Sequence, residues 1–259
     1  MITRARVAVA ATIGMLVIGL AIYALGPGRS GPGGPGPTPS PMPTATPAPT
    51  TAPSPMAILA EQPLMAGRYV EIPFGPGGMD VCAEQAGCTE TPADDTMRFT
   101  FSVPDGWVGG SVHTIYAAEG KAPPNGAGLV ISRGGGLYAE PCGGEWPPNI
   151  PVGPTVEDFV GALVDHPKLD VTTPVDITLA GHSGKYVDLQ VPSDISACRM
   201  SYFPWEPGIY AQGAGSRWHL WVLDVDGIRV VVQSTDYEGT SPERQAELRA
   251  IVESIQIEP

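Results

Sequence analysis

Hydrophobic and polar positions are most strictly ordered along Trp218–Ser234, WHLWVLDVDGIRVVVQS, where two apolar runs meet at Asp226-Gly227. That dipeptide supplies positive φ to a two-residue turn, so the stretch predicts a β-hairpin. With Asp226 and Gly227 as the loop, Val225 faces Ile228, Asp224 faces Arg229, Leu223 faces Val230, Val222 faces Val231 and Trp221 faces Val232. One face then carries Trp221, Leu223, Val225, Ile228, Val230 and Val232 without a charge. The other sets Asp224 opposite Arg229 and still holds Leu220, Val222 and Val231. Apolar residues on both faces predict a hairpin near the middle of a sheet, not on a wet edge.

The same alternation marks further strands. Met97, Phe99, Phe101 and Val103 alternate with Arg98, Thr100 and Ser102, and the run stops at Pro104-Asp105-Gly106, a turn that delivers Trp107. Shorter strands are expected at Arg68–Ile72, His113–Ala118, Gly128–Ser132 and Leu137–Glu140. Val175, Ile177 and Leu179 lead into a turn expected at Gly181-His182-Ser183-Gly184, from which Val187, Leu189 and Val191 return. Helical periodicity appears twice. Thr155-Val156-Glu157-Asp158 resembles a capping box ahead of a stripe of Val156, Phe159, Val160, Leu163 and Val164 that Pro167 ends. Ser241-Pro242 supplies an N-cap and a first-turn proline for a helix with Leu248, Ile251, Val252 and Ile255 at i, i+3, i+4 and i+7. A short strand, Ile255–Ile257, is expected to follow. Strands grouped in hairpins, two helices and no repeated βαβ unit predict an α+β domain built on an antiparallel sheet.

Upstream the pattern changes. MITRAR is followed by Val7–Leu25, 19 residues without a charge. As a helix they would be about 28 Å long, enough to cross a bilayer core. The length favours an uncleaved anchor, while Ala24-Leu25-Gly26 offers a small-x-small exit for a cleaved signal peptide. Either way the remainder is expected outside the cytoplasm, and no cysteine follows the apolar run to carry a lipid. From Gly26 to about Pro55 proline, glycine and threonine dominate and almost nothing is available to bury, which predicts a disordered linker with polyproline II character in its Pro-Thr half. The expected organisation is therefore an anchor or signal segment at 1–25, a linker at 26–61 and an extracytoplasmic α+β domain at 62–259.

Charge narrows the partners. Three of the 14 Lys and Arg residues, Arg4, Arg6 and Arg29, precede Glu61, and none of the 27 Asp and Glu residues does. The domain thus sets 11 cations against 27 carboxylates, which repels phosphate backbones and anionic lipid headgroups, so nucleic acid is not an expected partner. The four cysteines, Cys82, Cys88, Cys142 and Cys198, are too widely spaced for a zinc site and have no histidine near them. Disulfides are expected, Cys82–Cys88 and Cys142–Cys198 among the three possible connectivities, and they imply an oxidising compartment.

Phe99-Thr100-Phe101-Ser102-Val103-Pro104-Asp105-Gly106-Trp107, the mid-domain helix, and Trp221–Gly227 ahead of a terminal helix together resemble a group of membrane-anchored extracytoplasmic proteins of high-GC bacteria with no assigned activity. That resemblance covers most of Leu64–Pro259. Through the VPDGW strand exit and the order of elements the chain is also similar to the PsbP-like α/β/α sandwich, whose members serve as accessory or binding proteins more often than as enzymes. Neither resemblance supplies a catalytic motif.

The candidate chemistry is sparse. Gly181-His182-Ser183-Gly184-Lys185 has lysine where a nucleophile elbow needs its last glycine, and its flanks read strand-turn-strand where the elbow needs strand-turn-helix. Asp224-Val225-Asp226-Gly227 matches only the opening of a calcium loop, whose closing carboxylate position falls on Thr235. His113, His166 and His219 are scattered, and His219 shares the apolar face with Trp221, which marks it as a hydrogen-bonded histidine at a core edge. No catalytic residue, metal or cofactor is expected. If Cys142 pairs with Cys198, Trp146 is drawn toward Tyr202, Phe203 and Trp205. Exposed aromatics on Pro/Gly-rich loops suit stacking on sugar rings or proline-rich peptides, whereas buried ones would form a satellite core beneath the loops. The expected function is a membrane-anchored extracytoplasmic binding or accessory domain for envelope glycan or a protein partner. A cell-envelope hydrolase with an unrecognised site and a structural cell-wall protein are the alternatives.

Overall fold

A computed structural model describes residues 54–58, 60–74, 97–110, 114–143, 148–199, 201–206 and 210–259. The apolar stretch Val7–Leu25, most of the linker, Cys82, Cys88, His113 and Trp146 lie outside the described residues. In chain order the elements are β1 (Met56–Ala57), β2 (Gln62–Leu64), β3 (Gly67–Glu71), β4 (Arg98–Val103), β5 (Trp107–Gly109), β6 (Thr114–Ala117), β7 (Gly128–Ser132), α1 (Val156–Val164), β8 (Asp170–Val171), β9 (Val175–Leu179), β10 (His182–Gln190), β11 (Arg217–Val225), β12 (Ile228–Asp236), α2 (Pro242–Glu253) and β13 (Gln256–Glu258). Strands with two helices make an α+β fold. Among the described residues no helix is long and apolar enough to cross a membrane.

Nine strands form one sheet in the order β2-β5-β6-β7-β12-β11-β10-β8, with β9 also pairing β10. All of its pairings are antiparallel, and the β11–β12 hairpin lies in its interior with Asp224 opposite Arg229 and Trp221 opposite Val232, the register its turn dictates. A smaller sheet runs β1-β3-β4-β13. Its β1 lies within the stretch read as linker and pairs in parallel with β3. The C-terminal strand joins this smaller sheet by pairing β4.

Two further local expectations change. The β9–β10 turn is Ala180-Gly181, both residues at positive φ (53° and 86°), so His182, Ser183 and Gly184 belong to β10 and not to a turn. A two-residue hairpin of type I′ needs two left-handed residues in succession, and a glycine in its second place satisfies this once the first accepts the strain. Leu137–Glu140 forms no strand; only Leu137 makes bridges, to Ile150 and Trp205.

Each face of the large sheet has its own core. On one, Leu129, Ile131, Leu223, Val225, Val230 and Val232 meet Leu248, Ile251 and Val252 of α2 and Phe99, Phe101 and Val103 of the small sheet. On the other, Val187, Leu189, Leu220, Val222 and Val231 meet Phe159, Val160 and Leu163 of α1. The expected capping box is present: Thr155 Oγ1 accepts from Asp158 N at 3.1 Å and Asp158 Oδ2 accepts from Thr155 N at 3.0 Å. Ser241 caps α2 with Pro242 in its first turn.

Arg229 ties the α1 side together. It does not pair with Asp224, which instead accepts from Gly227 N at 2.7 Å. Its guanidinium lies 4.9 Å from the Phe159 ring centre and donates to the carbonyls of Arg133 (3.0 Å), Gly134 (2.8 Å), Gly153 and Thr155 (2.9 Å). Two loops that lack a sheet partner thereby gain one shared donor. Burial lowers the pKa of this guanidinium to about 10, with Asp158 opposing the shift.

Candidate functional site

The disulfide joins Cys142 and Cys198, 56 residues apart, and Tyr202 and Trp205 beside it turn inward instead of forming a contact surface. Trp205 is fully buried and Tyr202 is 3% exposed. Trp205 packs edge-on against Phe159 and Trp218, with centroids 5.5 and 5.2 Å away. Both residues belong to the core over α1, so the satellite-core reading of these loops is the one that fits. The physical reason is that irregular loops hold their shape only over buried apolar anchors. Phe203 is half-buried, between Tyr138 at 6.4 Å and Tyr210 at 5.5 Å, and Tyr210 is 45% exposed.

A different constellation gathers on the opposite face, beyond the end of the core under α2. Strand alternation puts Tyr186 and Asp188 of β10, Arg217, His219 and Trp221 of β11, and Ser234 and Asp236 of β12 on one side, because Tyr186 is opposite Trp221, Asp188 opposite His219, His219 opposite Ser234 and Arg217 opposite Asp236. The apolar rows stop at Trp221 and Val232, and the next two rungs are polar. His219 Nδ1 lies 2.6 Å from Asp188 Oδ1, and Nε2 lies 3.4 Å from Asp236 Oδ2. The Tyr186 hydroxyl donates to the same Asp188 oxygen and sits 3.0 Å from Nδ1. Arg217 donates through Nε to Asp236 Oδ1 at 2.8 Å and through an Nη to the Tyr237 carbonyl at 3.2 Å.

Burial differs across this ledge. The Asp236 side chain is 7% exposed and His219 27%, while Asp188 and Arg217 are 41% and 42% exposed. Burial works against a charge on the His219 ring, but hydrogen bonds to Asp236 and Asp188 and the field of their charges outweigh it, so its pKa is raised above the ordinary 6.5. Burial, then the Asp188 carboxylate, push the Tyr186 phenol well above its ordinary value, against the pull of Arg249 on α2. Both imidazole nitrogens are engaged by carboxylates. The ring is therefore a cationic clamp between β10 and β12, without a free nitrogen to take a proton from a substrate.

The other histidine of the described core is structural. His166 Nε2 lies 3.0 Å from the Tyr138 carbonyl, and Nδ1 accepts from Lys168 N at 3.1 Å. Burial and then the Lys168 charge lower its pKa, which keeps it neutral. An open cleft of about 450 Å³ lies on the α1 side, lined in part by Glu157, Asp176, Ser183, Lys185 and Asp224. Lys185 pairs with Asp176 there. Neither His166 nor His219 lines the cleft, and the imidazole of neighbouring His182 alternates to the other face of β10. Among the described residues no group of three or more His, Cys, Asp or Glu is arranged to hold a metal ion.

Sequence reading reached His219 and its apolar neighbour Trp221 but missed Tyr186, Asp188, Arg217 and Asp236. The hairpin register alone sets Arg217 opposite Asp236, which was a usable signal. The pairing of β10 with β11 crosses the long loop holding Cys198, and no local pattern fixes that register.

Neither a protein-family model nor a curated protein matches the chain. A crystal structure from Bacteroides thetaiotaomicron VPI-5482 is similar over 62% of this chain and 45% of its own, at 10% identity and a TM-score of 0.29. The chain thus spans less than half the length of that protein, and a likeness so slight carries no argument about fold or function.

Proposed function

We propose that this chain is an extracytoplasmic binding or accessory domain held at the cell membrane by Val7–Leu25, with envelope glycan as its target. The observation that carries the reading is the Cys142–Cys198 bond, because a disulfide tying two long loops persists in an oxidising compartment and not in a reducing cytosol. The uncharged leader and the proline-rich stretch behind it support the same topology. The packing of α1 and α2 on opposite faces of one antiparallel sheet supports a likeness to PsbP-like accessory proteins, from which the four-stranded sheet beside α2 departs.

Binding is favoured over hydrolysis by the state of the polar groups. His219 can act as a base only after losing a carboxylate partner, and the described cleft is open and has neither His166 nor His219 in its lining. Topology is tested on the full chain in intact cells. Thiols are blocked with a permeant reagent, disulfides are then reduced, and the released thiols are labelled. Recovery of label at Cys142 and Cys198, together with protease access to the domain from outside, is the expected result. Thiols at both positions already free before reduction would refute the reading.

A further inference from the structure

Tyr186 and His219 form a flat platform. Their ring planes differ by 11° and their centroids are 6.5 Å apart, while the Tyr186 hydroxyl lies 3.0 Å from Nδ1 of the imidazole. A centroid separation that long excludes direct face-to-face overlap: the near-parallel rings are displaced sideways, and the hydroxyl of one reaches the edge of the other. Trp221 closes one side, its ring 5.2 Å from Tyr186 and tilted by 59°. The hydrogen bonds to Asp188 and Asp236 fix the imidazole, so the platform is ordered before any ligand arrives.

The polar groups beside it have capacity to spare. Both bonds that Asp188 accepts on its side chain go to Oδ1, from Tyr186 and His219, which leaves Oδ2 without a partner among the described residues. Arg217 uses Nε and one Nη on Asp236 and Tyr237, which leaves its other Nη free in the same sense. Each of these side chains is about two-fifths exposed. The ledge thus offers the Tyr186 ring as an apolar surface, extended by the charged His219 ring, with one charged acceptor and one charged donor beside it.

Its charges cancel. Arg217 and protonated His219 balance Asp188 and Asp236, and at the margins Arg249 of α2 and Asp170, the partner of Gln190, add one charge of each sign. A balanced site gains nothing from a net ion and suits a neutral polar ligand. A proline-rich peptide would stack on the rings but has no proline N–H for Asp188 Oδ2. A pyranose has both parts: an apolar C–H face for the Tyr186 ring, and hydroxyls that donate to a carboxylate and accept from a guanidinium.

We infer that the Tyr186–His219 platform, with Asp188 Oδ2 and the free Nη of Arg217, is a binding site for a neutral pyranose saccharide. This rests on the proposed glycan-binding role and names the surface that performs it. The test uses the full chain in detergent micelles, titrated with soluble hexasaccharides of β-1,4-linked N-acetylglucosamine, α-1,4-linked glucose and α-1,6-linked mannose. Tryptophan emission and saturation-transfer NMR are the readouts. Saturable binding of at least one sugar is expected. Tyr186→Ala and Asp188→Asn are each expected to weaken it about tenfold or more, and Thr178→Ala on the opposite face to leave it unchanged. Thermal unfolding of each variant shows whether it is folded, and the isosteric Asp188→Asn keeps the test decisive should Tyr186→Ala unfold. Absence of binding by all three sugars, or binding that survives both substitutions, overturns the assignment. Oxidised Cys142 and Cys198 in cells together with no sugar binding would overturn this site alone. Free thiols in cells would overturn the extracytoplasmic reading whatever the sugars do.

Discussion

Asp188 and His219 face each other across neighbouring strands, with carboxylate Oδ1 2.6 Å from imidazole Nδ1. Asp236 holds the other nitrogen from the strand on the far side, so one ring bridges three consecutive strands of the large sheet. The bridge matters because the apolar core has ended one rung earlier, and the polar end of the sheet is held by charge and hydrogen bonds.

That bridge predicts a pH dependence. The raised pKa means that the folded protein holds the His219 proton more tightly than the unfolded chain does. Its stabilisation is complete below the ordinary pKa of 6.5 and is lost as the pH rises through the higher folded value. Tyr186, Asp188, Arg217, Asp236 and, from α2, Arg249 are the ionisable groups around it. Thermal unfolding of the parent and of His219→Gln across about pH 5 to 9 checks this. The gap between their melting temperatures should be widest at the acid end and shrink as the pH rises. A gap that widens with pH would contradict the clamp.

Trp205, open from sequence to either a contact role or a place beneath the loops, is fully enclosed by Phe159, Trp218 and the α1 core. Trp205→Ala is therefore expected to cost about 3 to 5 kcal/mol in guanidinium unfolding, the range for deleting a large buried ring. Half-buried Phe203→Ala should cost clearly less. Equal small losses for the two would mean that the loop does not rest on Trp205.

The disulfide closes a loop whose ends are 56 residues apart. Chain-entropy reasoning gives a link of that span about 4 kcal/mol. Replacing both Cys142 and Cys198 by serine should lower unfolding stability by about that amount in guanidinium titration. A loss below about 1 kcal/mol would show that the two loops are held by Trp205 and Tyr202 without the bond.

How far the fold was legible depended on the range of the interaction. The β11–β12 register followed from one dipeptide, because a two-residue turn leaves the flanking strands no freedom to slip. The caps of α1 and α2 were equally local. The Cys142–Cys198 pair was one of three connectivities open to four cysteines, favoured because Cys82 and Cys88 lie close enough in sequence to close a short loop of their own. Exposure of Trp205 could not be judged, since an aromatic in a Pro/Gly-rich loop has the same sequence neighbours whether it points outward or anchors a core. The ledge was hidden for a related reason: Tyr186 and Asp188 meet His219 only through the β10–β11 pairing, which spans a long loop, and alternation of β10 by itself does not say which strand lies beside it.

Ala180 and Asp226 occupy the same backbone conformation, each at φ 53° and each followed by a glycine, φ 86° at Gly181 and 85° at Gly227. The left-handed region costs an ordinary L-residue about 1 kcal/mol or more, whereas Asn and Asp enter it with less strain because their side chains bond the local backbone. Asp226 therefore suits its turn and Ala180 does not. Ala180→Asn should stabilise the protein by about 0.5 to 1 kcal/mol, seen as a higher melting temperature without a change in the slope of denaturant unfolding. The reciprocal Asp226→Ala should destabilise by a similar or larger amount. If Ala180→Asn lowered the melting temperature while Asp226→Ala raised it, the two hairpins could not share one turn geometry.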